Sequence, residues 1–299
     1  MSRFTLEWVI SNNDAGKEIK TFLGEEHISR RALSDIKFAG GSILVNSKER
    51  NVRYVLKEGD KLVVAFPIEP VNPNLAKERI PLDIIYEDRD LLIINKPPFM
   101  STIPSREHPA GSIANALAYY YEQKEALEPA IHIVTRLDRN TSGLLLVAKH
   151  RHAHHLFGLL QQEGKIFRAY EAVATGVFSS KKGMIDKPIG RKPTSMIERE
   201  VRDDGKKAVT IFEVKKQMKE EAFLRLVLQT GRTHQIRVHL AHIGHPLLGD
   251  ELYGGPLSKI CRQALHCSEL SFMHPFKKEK MFFQAPLPED IQQLVRLNT

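Results

Sequence analysis

Residues 136–147 are the most informative stretch of the chain. They read Arg136-Leu137-Asp138-Arg139-Asn140-Thr141-Ser142-Gly143-Leu144-Leu145-Leu146-Val147. The first half has the composition of a turn, and the second half is a short apolar run typical of a buried strand. Asp138 therefore lies in a turn, between two arginines, just before a strand. An aspartate in a turn most often serves only as a hydrogen-bonding cap, so a catalytic role for Asp138 needs support from other motifs.

Two such motifs lie downstream in the chain, Phe167-Arg168-Ala169-Tyr170 and Thr230-Gly231-Arg232-Thr233-His234-Gln235-Ile236-Arg237. In this order and spacing the three motifs resemble the pseudouridine synthases of the large-subunit ribosomal RNA class, the RluA/RluD family. The resemblance covers about residues 81–290. It implies isomerisation of uridine in RNA to pseudouridine. It also implies that neither cofactor nor metal is needed, because no redox or hydrolytic step occurs.

The resemblance assigns catalytic roles to three residues. It implies that Asp138 is the catalytic carboxylate, with Arg232 as its ionic partner. A carboxylate can stabilise an electron-poor sugar carbon or take a neighbouring proton, and an arginine holds it ionised and still. Tyr170 is expected to pack on the uracil and to handle the proton at carbon 5. The alternative role for Arg232 is phosphate binding.

Further residues are expected to bind a uracil that has been flipped out of the RNA. A uracil inside an RNA helix must be flipped out, and Arg136 matches the arginine with which the family fills the vacated space. Leu228 is expected to form an apolar wall of the pocket. His234 and Arg237 are expected to hold the loop or to bind phosphates.

The chain departs from the family pattern at three positions near these motifs. Thr135 stands where the family commonly has histidine, Arg168 where it has lysine, and Cys267 where it often has alanine. None of the three removes a group that the reaction needs. Thr135 puts one family hydrogen bond near the loop in doubt and could mark a different RNA target.

Composition shifts predict three segments. Residues 1–68 are expected to form a small α/β domain, residues 69–80 a proline-punctuated linker, and residues 81–299 the catalytic domain. In the catalytic segment, helices and strands interleave without a steady βαβ rhythm. We therefore predict an α+β fold with a mixed, largely antiparallel central sheet and flanking helices.

Hydrophobic periodicity places the elements of the catalytic segment. The predicted elements are a hairpin over 83–98, helices over 112–123, 152–162, 233–243 and 288–297, and strands over 170–174, 209–214, 223–229 and 281–284. Thr233 is expected to cap the third of these helices.

The first segment carries a basic helix. Ser29 is a plausible N-cap for it, and Arg30, Arg31 and Lys37 lie along it. Together with the later Val-Asn and Glu-Gly-Asp patterns, it resembles the small RNA-binding domain named for ribosomal protein S-four, although Ser47 stands where that family has glycine. The resemblance implies that the basic edge tracks phosphates; the alternative is a solvated basic helix.

Bulk properties agree with an RNA partner. The formal net charge is +8 and the isoelectric point about 9.3, which favours a polyanion. No run approaches the length of a membrane span, so no membrane partner is expected. The two cysteines form no C-x-x-C pair, and the histidines form no H-E-x-x-H motif, so no metal is expected either. A cytoplasmic monomer is the expectation.

The substrate stays open at this point. Large-subunit ribosomal RNA is the family default, and transfer RNA is an alternative. A catalytically silent RNA chaperone or assembly factor is a second alternative, against which intact Asp138, Tyr170 and Arg232 argue. A nucleoside hydrolase or glycosidase normally needs a second carboxylate, and no motif supplies one.

Overall fold

The structure is a computed structural model that describes residues 4–126 and 129–297. Residues 1–3 and 298–299, the ends of the first and last predicted segments, lie outside the described residues. The described chain forms a small N-terminal unit and a larger unit. Each has its own cluster of buried apolar side chains.

The N-terminal unit is a four-stranded antiparallel sheet, in the order β1-β4-β2-β3, covered by two helices. Its elements are β1 (Thr5–Val9), α1 (Ile19–Glu25), α2 (Arg30–Phe38), β2 (Ser42–Val45), β3 (Lys48–Glu49) and β4 (Lys61–Ala65). Ile19, Phe22 and Leu23 of α1 are buried, as their helical spacing predicts. The Ser29 cap is confirmed, since its hydroxyl accepts a 3.1 Å bond from the amide of Ala32.

The turn between β2 and β3 accounts for the departure at Ser47. Asn46 and Ser47 both have left-handed backbones, with φ of 51° and 65°. Two consecutive left-handed residues form the hairpin turn for which Asn-Gly is the preferred sequence. Ser47 therefore keeps the conformation that a glycine would adopt more easily.

The larger unit is built on a ten-stranded sheet. Its strands are β5 (Ile84–Glu87), β6 (Leu91–Lys96), β7 (His132–Ile133), β8 (Ser142–Ala148), β9 (Phe167–Thr175), β10 (Lys182–Asp186), β13 (Val209–Gln217), β14 (Glu221–Leu228), β15 (Leu265–Met273) and β16 (Lys280–Gln284), with a separate hairpin of β11 (Ile189–Arg191) and β12 (Arg199–Val201). Its helices are α3 (Ile113–Gln123), α4 (Arg151–Gln162), α5 (Gln235–His242) and α6 (Glu289–Leu297), and a short 3₁₀ helix spans Glu251–Tyr253.

The sheet confirms the predicted fold class. Its main path runs β10-β13-β14-β9-β15-β8-β6-β5, with β16 on β15 and β7 on β8. Strands β8 and β15 pair in parallel, and the other named pairs are antiparallel. All seven residues of β8 are buried, as its apolar run predicts. Gly143 permits the parallel contact, because a Cβ there would lie 2.3 Å from the carbonyl oxygen of Cys267.

One local prediction needs correction, and one central strand was missed. The third predicted helix does not begin with Thr233 as its cap: α5 begins at Gln235, and its N-cap is His234, with a left-handed backbone at φ 57°. Strand β15, in the middle of the sheet, was not predicted, because its mixed sequence hides the strand period.

The two units contact each other. The Phe4 ring stacks on His150 with centroids 3.7 Å apart, and Arg151 pairs with Asp35 at 2.7 Å. Arg89 also donates to the carbonyl oxygen of Thr5 at 2.7 Å. Among the described residues, no helix is both long and apolar enough to cross a membrane.

Candidate active site

A cleft of about 490 Å³ lies where β9, β14 and the start of α5 meet the loop before β8. It collects every pocket residue predicted from the sequence: Arg136, Asp138, Tyr170, Leu228, Arg232, His234 and Arg237. The three motifs, far apart in the chain, thus line one cavity.

Asp138 has a different ionic partner from the expected one. Nη1 of Arg237 lies 3.1 Å from Oδ2 of Asp138. Arg232 instead donates from Nε to the carbonyl oxygen of Lys207 at 3.0 Å, and its side chain is exposed. The expectation that Arg232 pairs with Asp138 is therefore corrected to Arg237, the third residue of α5.

Arg237 is held by more than Asp138. Its Nε and Nη2 make two bonds of 2.7 and 2.8 Å to the buried Asp250, a bidentate geometry that fixes the guanidinium plane. Its guanidinium also lies over the Tyr253 ring, 4.9 Å from the centroid. Burial opposes its charge, but Asp250 and then Asp138 outweigh burial and raise the pKa of Arg237. Asp138 is thus paired with a cation that stays charged and is held in place by Asp250.

His234 is the second neighbour of Asp138. Its Nε2 lies 3.9 Å from Oδ2 of Asp138, and its Nδ1 is 2.8 Å from the hydroxyl of Tyr253. Burial lowers the pKa of His234, with Asp138 acting against it. The imidazole is therefore neutral at pH 7, and Arg237 supplies the positive charge.

The backbone around Asp138 is fixed by side chains from elsewhere in the chain. The hydroxyl of Thr102 donates to the carbonyl oxygen of Leu137 at 2.8 Å and accepts from the amide of Leu137 at 3.2 Å. Lys96 donates to the carbonyl oxygen of Arg139 at 3.1 Å.

Lys96 and Arg262 are both buried under this loop. Lys96 also donates to the carbonyl oxygens of Pro97 and Met100, each at 2.8 Å, and burial lowers its pKa to about 7. Arg262 donates to the carbonyl oxygen of Asn140 at 3.1 Å while its other nitrogens pair with Asp290. The loop is thus clamped on both sides of Asp138.

Tyr170 lies in β9 beside Cys267 of β15. Its side chain is buried but lines the cleft. Burial, aided by the neighbouring Cys267, raises the pKa of Tyr170. The ring therefore carries a neutral phenol at pH 7.

Arg168 shares the cleft with Tyr170, two residues earlier on the same strand face. It is only 8% exposed, and its Nε has no hydrogen-bond partner among the described residues. A buried donor without a partner is costly, so Nε of Arg168 is available to an acceptor that enters the cleft. Arg136 and Leu228 line the same cavity, with Arg136 exposed and Leu228 half-buried.

Thr135 does not face this chemistry. It is buried, and its hydroxyl accepts a 3.0 Å bond from the amide of Leu146. Its role in the described structure is to join the loop to β8. The predicted RNA-binding residues Arg30, Arg31 and Lys37 lie on α2 of the N-terminal unit, exposed and apart from the cleft.

Asp88, Asp90 and His274 bring ligand atoms within 4.8 Å of one another. Asp88 accepts from Tyr86, His274 and Lys277 as well as from two backbone amides. Asp90 accepts from His150 at 3.0 Å. The protein's own donors thus occupy these carboxylates.

The residues that sequence reasoning missed are the clamps and the Arg237 support: Lys96, Thr102, Arg262, Asp250 and Tyr253. These residues lie far from Asp138 in the chain, and no spacing rule connects them to it.

Comparisons with known proteins agree with this geometry. The sequence model of the family described as RNA pseudouridylate synthase matches residues 90–242. The chain is 52% identical over 278 residues to an uncharacterized RNA pseudouridine synthase, YjbO, of Bacillus subtilis, covering 93% of this chain and 98% of that protein. It is 36% identical to the ribosomal large subunit pseudouridine synthase D of Escherichia coli, covering 99% of this chain and 94% of that protein.

A solved structure has the same fold. The human RNA pseudouridylate synthase domain containing 1 superposes with a TM-score of 0.57 at 25% identity, covering 77% of this chain and 97% of that one. The site geometry, the family match and these relatives lead to one conclusion: the chain belongs to the RNA pseudouridine synthase family, whose members isomerise uridine in RNA to pseudouridine.

Proposed function

We propose that the chain modifies uridines of large-subunit ribosomal RNA, with Asp138 as the catalytic carboxylate. The observation that carries the proposal is the 3.1 Å pair between Asp138 and the buried Arg237, in a cleft that also holds Tyr170. Synthase D of Escherichia coli, a relative over nearly the whole chain, is named for the large ribosomal subunit. We propose a cytoplasmic monomer that uses neither metal nor cofactor.

The reaction breaks the bond between ribose carbon 1′ and uracil nitrogen 1, and forms a bond from carbon 1′ to carbon 5. Asp138, paired with Arg237, either stabilises the electron-poor carbon 1′ or takes a neighbouring sugar proton. The uracil turns within the cleft while it is detached. Carbon 5 then loses its proton and nitrogen 1 gains one, and a sugar proton taken by Asp138 returns to the sugar, so atoms and electrons balance without a co-reactant.

The other cleft residues bind and position the nucleotide. Tyr170 and Leu228 hold the two sides of the flat base, and Arg136 fills the space that the flipped base leaves in the RNA. Arg232, exposed at the rim, takes the phosphate-binding role. His234 stays neutral and keeps its place between Asp138 and Tyr253.

The test uses purified protein with transcripts of large-subunit ribosomal RNA and, separately, of transfer RNA. Pseudouridines are mapped by carbodiimide adducts that stop reverse transcription. Modification of ribosomal RNA alone supports the proposal, and modification of transfer RNA alone overturns its substrate. Asp138→Asn should abolish isomerisation while RNA affinity stays within several-fold. Near wild-type turnover by folded Asp138→Asn would rule out the mechanism, and binding without any turnover by wild type would favour an RNA chaperone.

A further inference from the structure

The N-terminal unit carries a second concave surface, remote in sequence from the cleft. It is formed by residues 36–38 at the end of α2, residues 41–43 at the start of β2 and residues 49–53 from the end of β3 onward, and its volume is about 630 Å³. We name it the Phe38 groove. Its volume is within the roughly 300–1,000 Å³ of pockets that hold small ligands.

Phe38 is the unusual feature of this groove. Its side chain is 77% exposed, at the C-terminal end of α2. A single exposed apolar residue is ordinary, but this ring has one cation beside it and two more in the same groove. Nζ of Lys37 lies 4.5 Å from the Phe38 ring centroid, and Arg50 and Arg53 line the same groove.

The charge around the groove is strongly one-sided. Residues 30–57 contain seven basic and two acidic side chains: Arg30, Arg31, Lys37, Lys48, Arg50, Arg53 and Lys57 against Asp35 and Glu49. Asp35 is already paired with Arg151 of the larger unit at 2.7 Å. None of the seven cations forms an ion pair with a described residue of the unit, whose ion pairs lie on other side chains. This leaves Glu49 as the acidic side chain facing the groove.

Part of the cationic rim is preorganised. The guanidinium of Arg50 lies over the Tyr54 ring, 4.9 Å from its centroid, and such a contact restrains a flexible side chain. The backbone of Arg53 is fixed by a 2.9 Å bond from its amide to the side-chain oxygen of Asn51. The guanidinium of Arg50 is therefore placed before any ligand arrives, and the backbone of Arg53 is fixed in the same groove.

We propose that the Phe38 groove binds an unpaired nucleotide of the RNA, with its base stacked on Phe38 and its phosphates beside Lys37, Arg50 and Arg53. The inference rests on the proposed function, because it assigns the groove to the same RNA that enters the catalytic cleft. An aromatic ring within a basic groove is the combination by which proteins hold single-stranded nucleic acid. Paired bases are stacked inside a duplex, so the exposed ring selects an unpaired base. An apolar protein partner would leave the cations without a counter-charge.

The experiment measures RNA affinity of the full-length protein and its variants. The probes are a single-stranded oligonucleotide from large-subunit ribosomal RNA and a blunt duplex of the same length. Phe38→Ala should weaken single-strand binding about five- to hundredfold, because stacking on one base contributes roughly 1–3 kcal/mol. Phe38→Tyr keeps the ring and should bind within about twofold of wild type. Duplex binding should change little in either variant.

The matched control is Phe282→Ala. Phe282 is 54% exposed on β16 of the larger unit, outside the groove. This variant should leave both affinities unchanged. Replacing Arg50 and Arg53 by alanine should also lower the salt dependence of single-strand binding by about 0.7 in logarithmic slope for each lost phosphate contact.

Two results would overturn the proposal: equal single-strand affinity of Phe38→Ala and wild type, or an equal loss on single strand and duplex. Isomerisation by wild type is measured in the same preparation. An inactive wild type would count against the proposed function, while the affinity comparison would still decide on the groove. Because Phe38 is exposed, Phe38→Ala should melt within a few degrees of wild type, which separates lost binding from lost folding.

Discussion

The Tyr253 hydroxyl lies 2.8 Å from Nδ1 of His234 and also accepts a 3.0 Å bond from the amide of Arg199. The face of the same ring holds the guanidinium of Arg237. Tyr253 thus touches both side chains that adjoin Asp138, and it links them to the β11–β12 hairpin. The Tyr253 oxygen accepts from the amide of Arg199, so the hydroxyl hydrogen can be donated to Nδ1 of His234. The proton of neutral His234 then lies on Nε2, the ring nitrogen that is near Asp138.

Tyr253→Phe tests this positioning role. The variant keeps the ring under Arg237 but loses the hydroxyl that stabilises neutral His234, so the pKa of His234 should rise. Protonated His234 would compete with Arg237 for Asp138. We therefore expect kcat to fall about five- to tenfold with little change in KM, since one hydrogen bond contributes about 1 kcal/mol, and the acid limb of the kcat profile to move to higher pH. Tyr119→Phe is the control, because Tyr119 lies on α3 and does not line the cleft. A fall in kcat without movement of the acid limb would contradict the positioning role.

Substitutions of Arg237 and Arg232, the two arginines of the third motif, should change different kinetic parameters. Arg237→Lys cannot contact Asp250 at two atoms and Asp138 at a third, because an ammonium lacks the planar fork. We expect kcat to fall by at least about a hundredfold and the melting temperature to drop, as buried Asp250 loses its bidentate partner. Arg232→Lys, at the exposed rim, should change mainly KM. Single-turnover kinetics and thermal melts of both variants make the comparison, and a greater kcat loss in Arg232→Lys would restore Arg232 as the partner.

The ionic partner of Asp138, Arg237 rather than Arg232, could not be predicted from the sequence. Asp138 and Tyr170 were predicted as cleft residues because the short motifs that contain them resemble those of the family. The choice between Arg232 and Arg237 depends on how α5 leaves β14, and the left-handed backbone of His234 sets that direction. No residue pattern encodes that turn, since left-handed histidine is uncommon.

Long-range clamps were beyond prediction for a related reason. Thr102 and Arg262 bind the Asp138 loop from 35 and 122 residues away in the chain, so no local period connects them to it. The class of the sheet, in contrast, was predictable, because the predicted helices and strands of the catalytic segment interleave without a steady βαβ rhythm. Strand β15 was missed because polar residues such as His266 and Ser268 are buried in it, where they satisfy hydrogen bonds inside the fold.

Tyr170→Phe separates stacking from proton handling. The ring remains, so base binding should persist. Burial raises the pKa of Tyr170, so the residue begins as a neutral phenol. In the proton-handling role the phenol gives its proton to nitrogen 1 of the uracil, and the resulting phenolate takes the proton from carbon 5. Loss of an acid–base group typically costs about 10²–10⁴-fold, so tritium release from carbon 5 should slow by more than tenfold in single-turnover reactions. A smaller loss would leave only the stacking role.

Lys96→Met tests the clamp beneath the catalytic loop and gives a pH prediction with a definite sign. Three carbonyl oxygens accept from Nζ of Lys96, and the variant leaves them without a donor in a buried site. We expect a loss of several kcal/mol in unfolding free energy and a large fall in kcat, as the Arg139 carbonyl oxygen is released beside Asp138.

The pH dependence has its origin in burial, which lowers the pKa of Lys96 to about 7, against roughly 10.4 in an unfolded chain. Between these values the unfolded state binds more protons, so this lysine makes the unfolding free energy rise with pH, by up to about 1.4 kcal/mol per unit. Lys96→Met should lose that rise, while Lys219→Met, at an exposed position, should keep it. Urea unfolding from pH 7 to 10 measures the slopes. Equal slopes in wild type and Lys96→Met would mean that Lys96 keeps its proton throughout, held by its three acceptors.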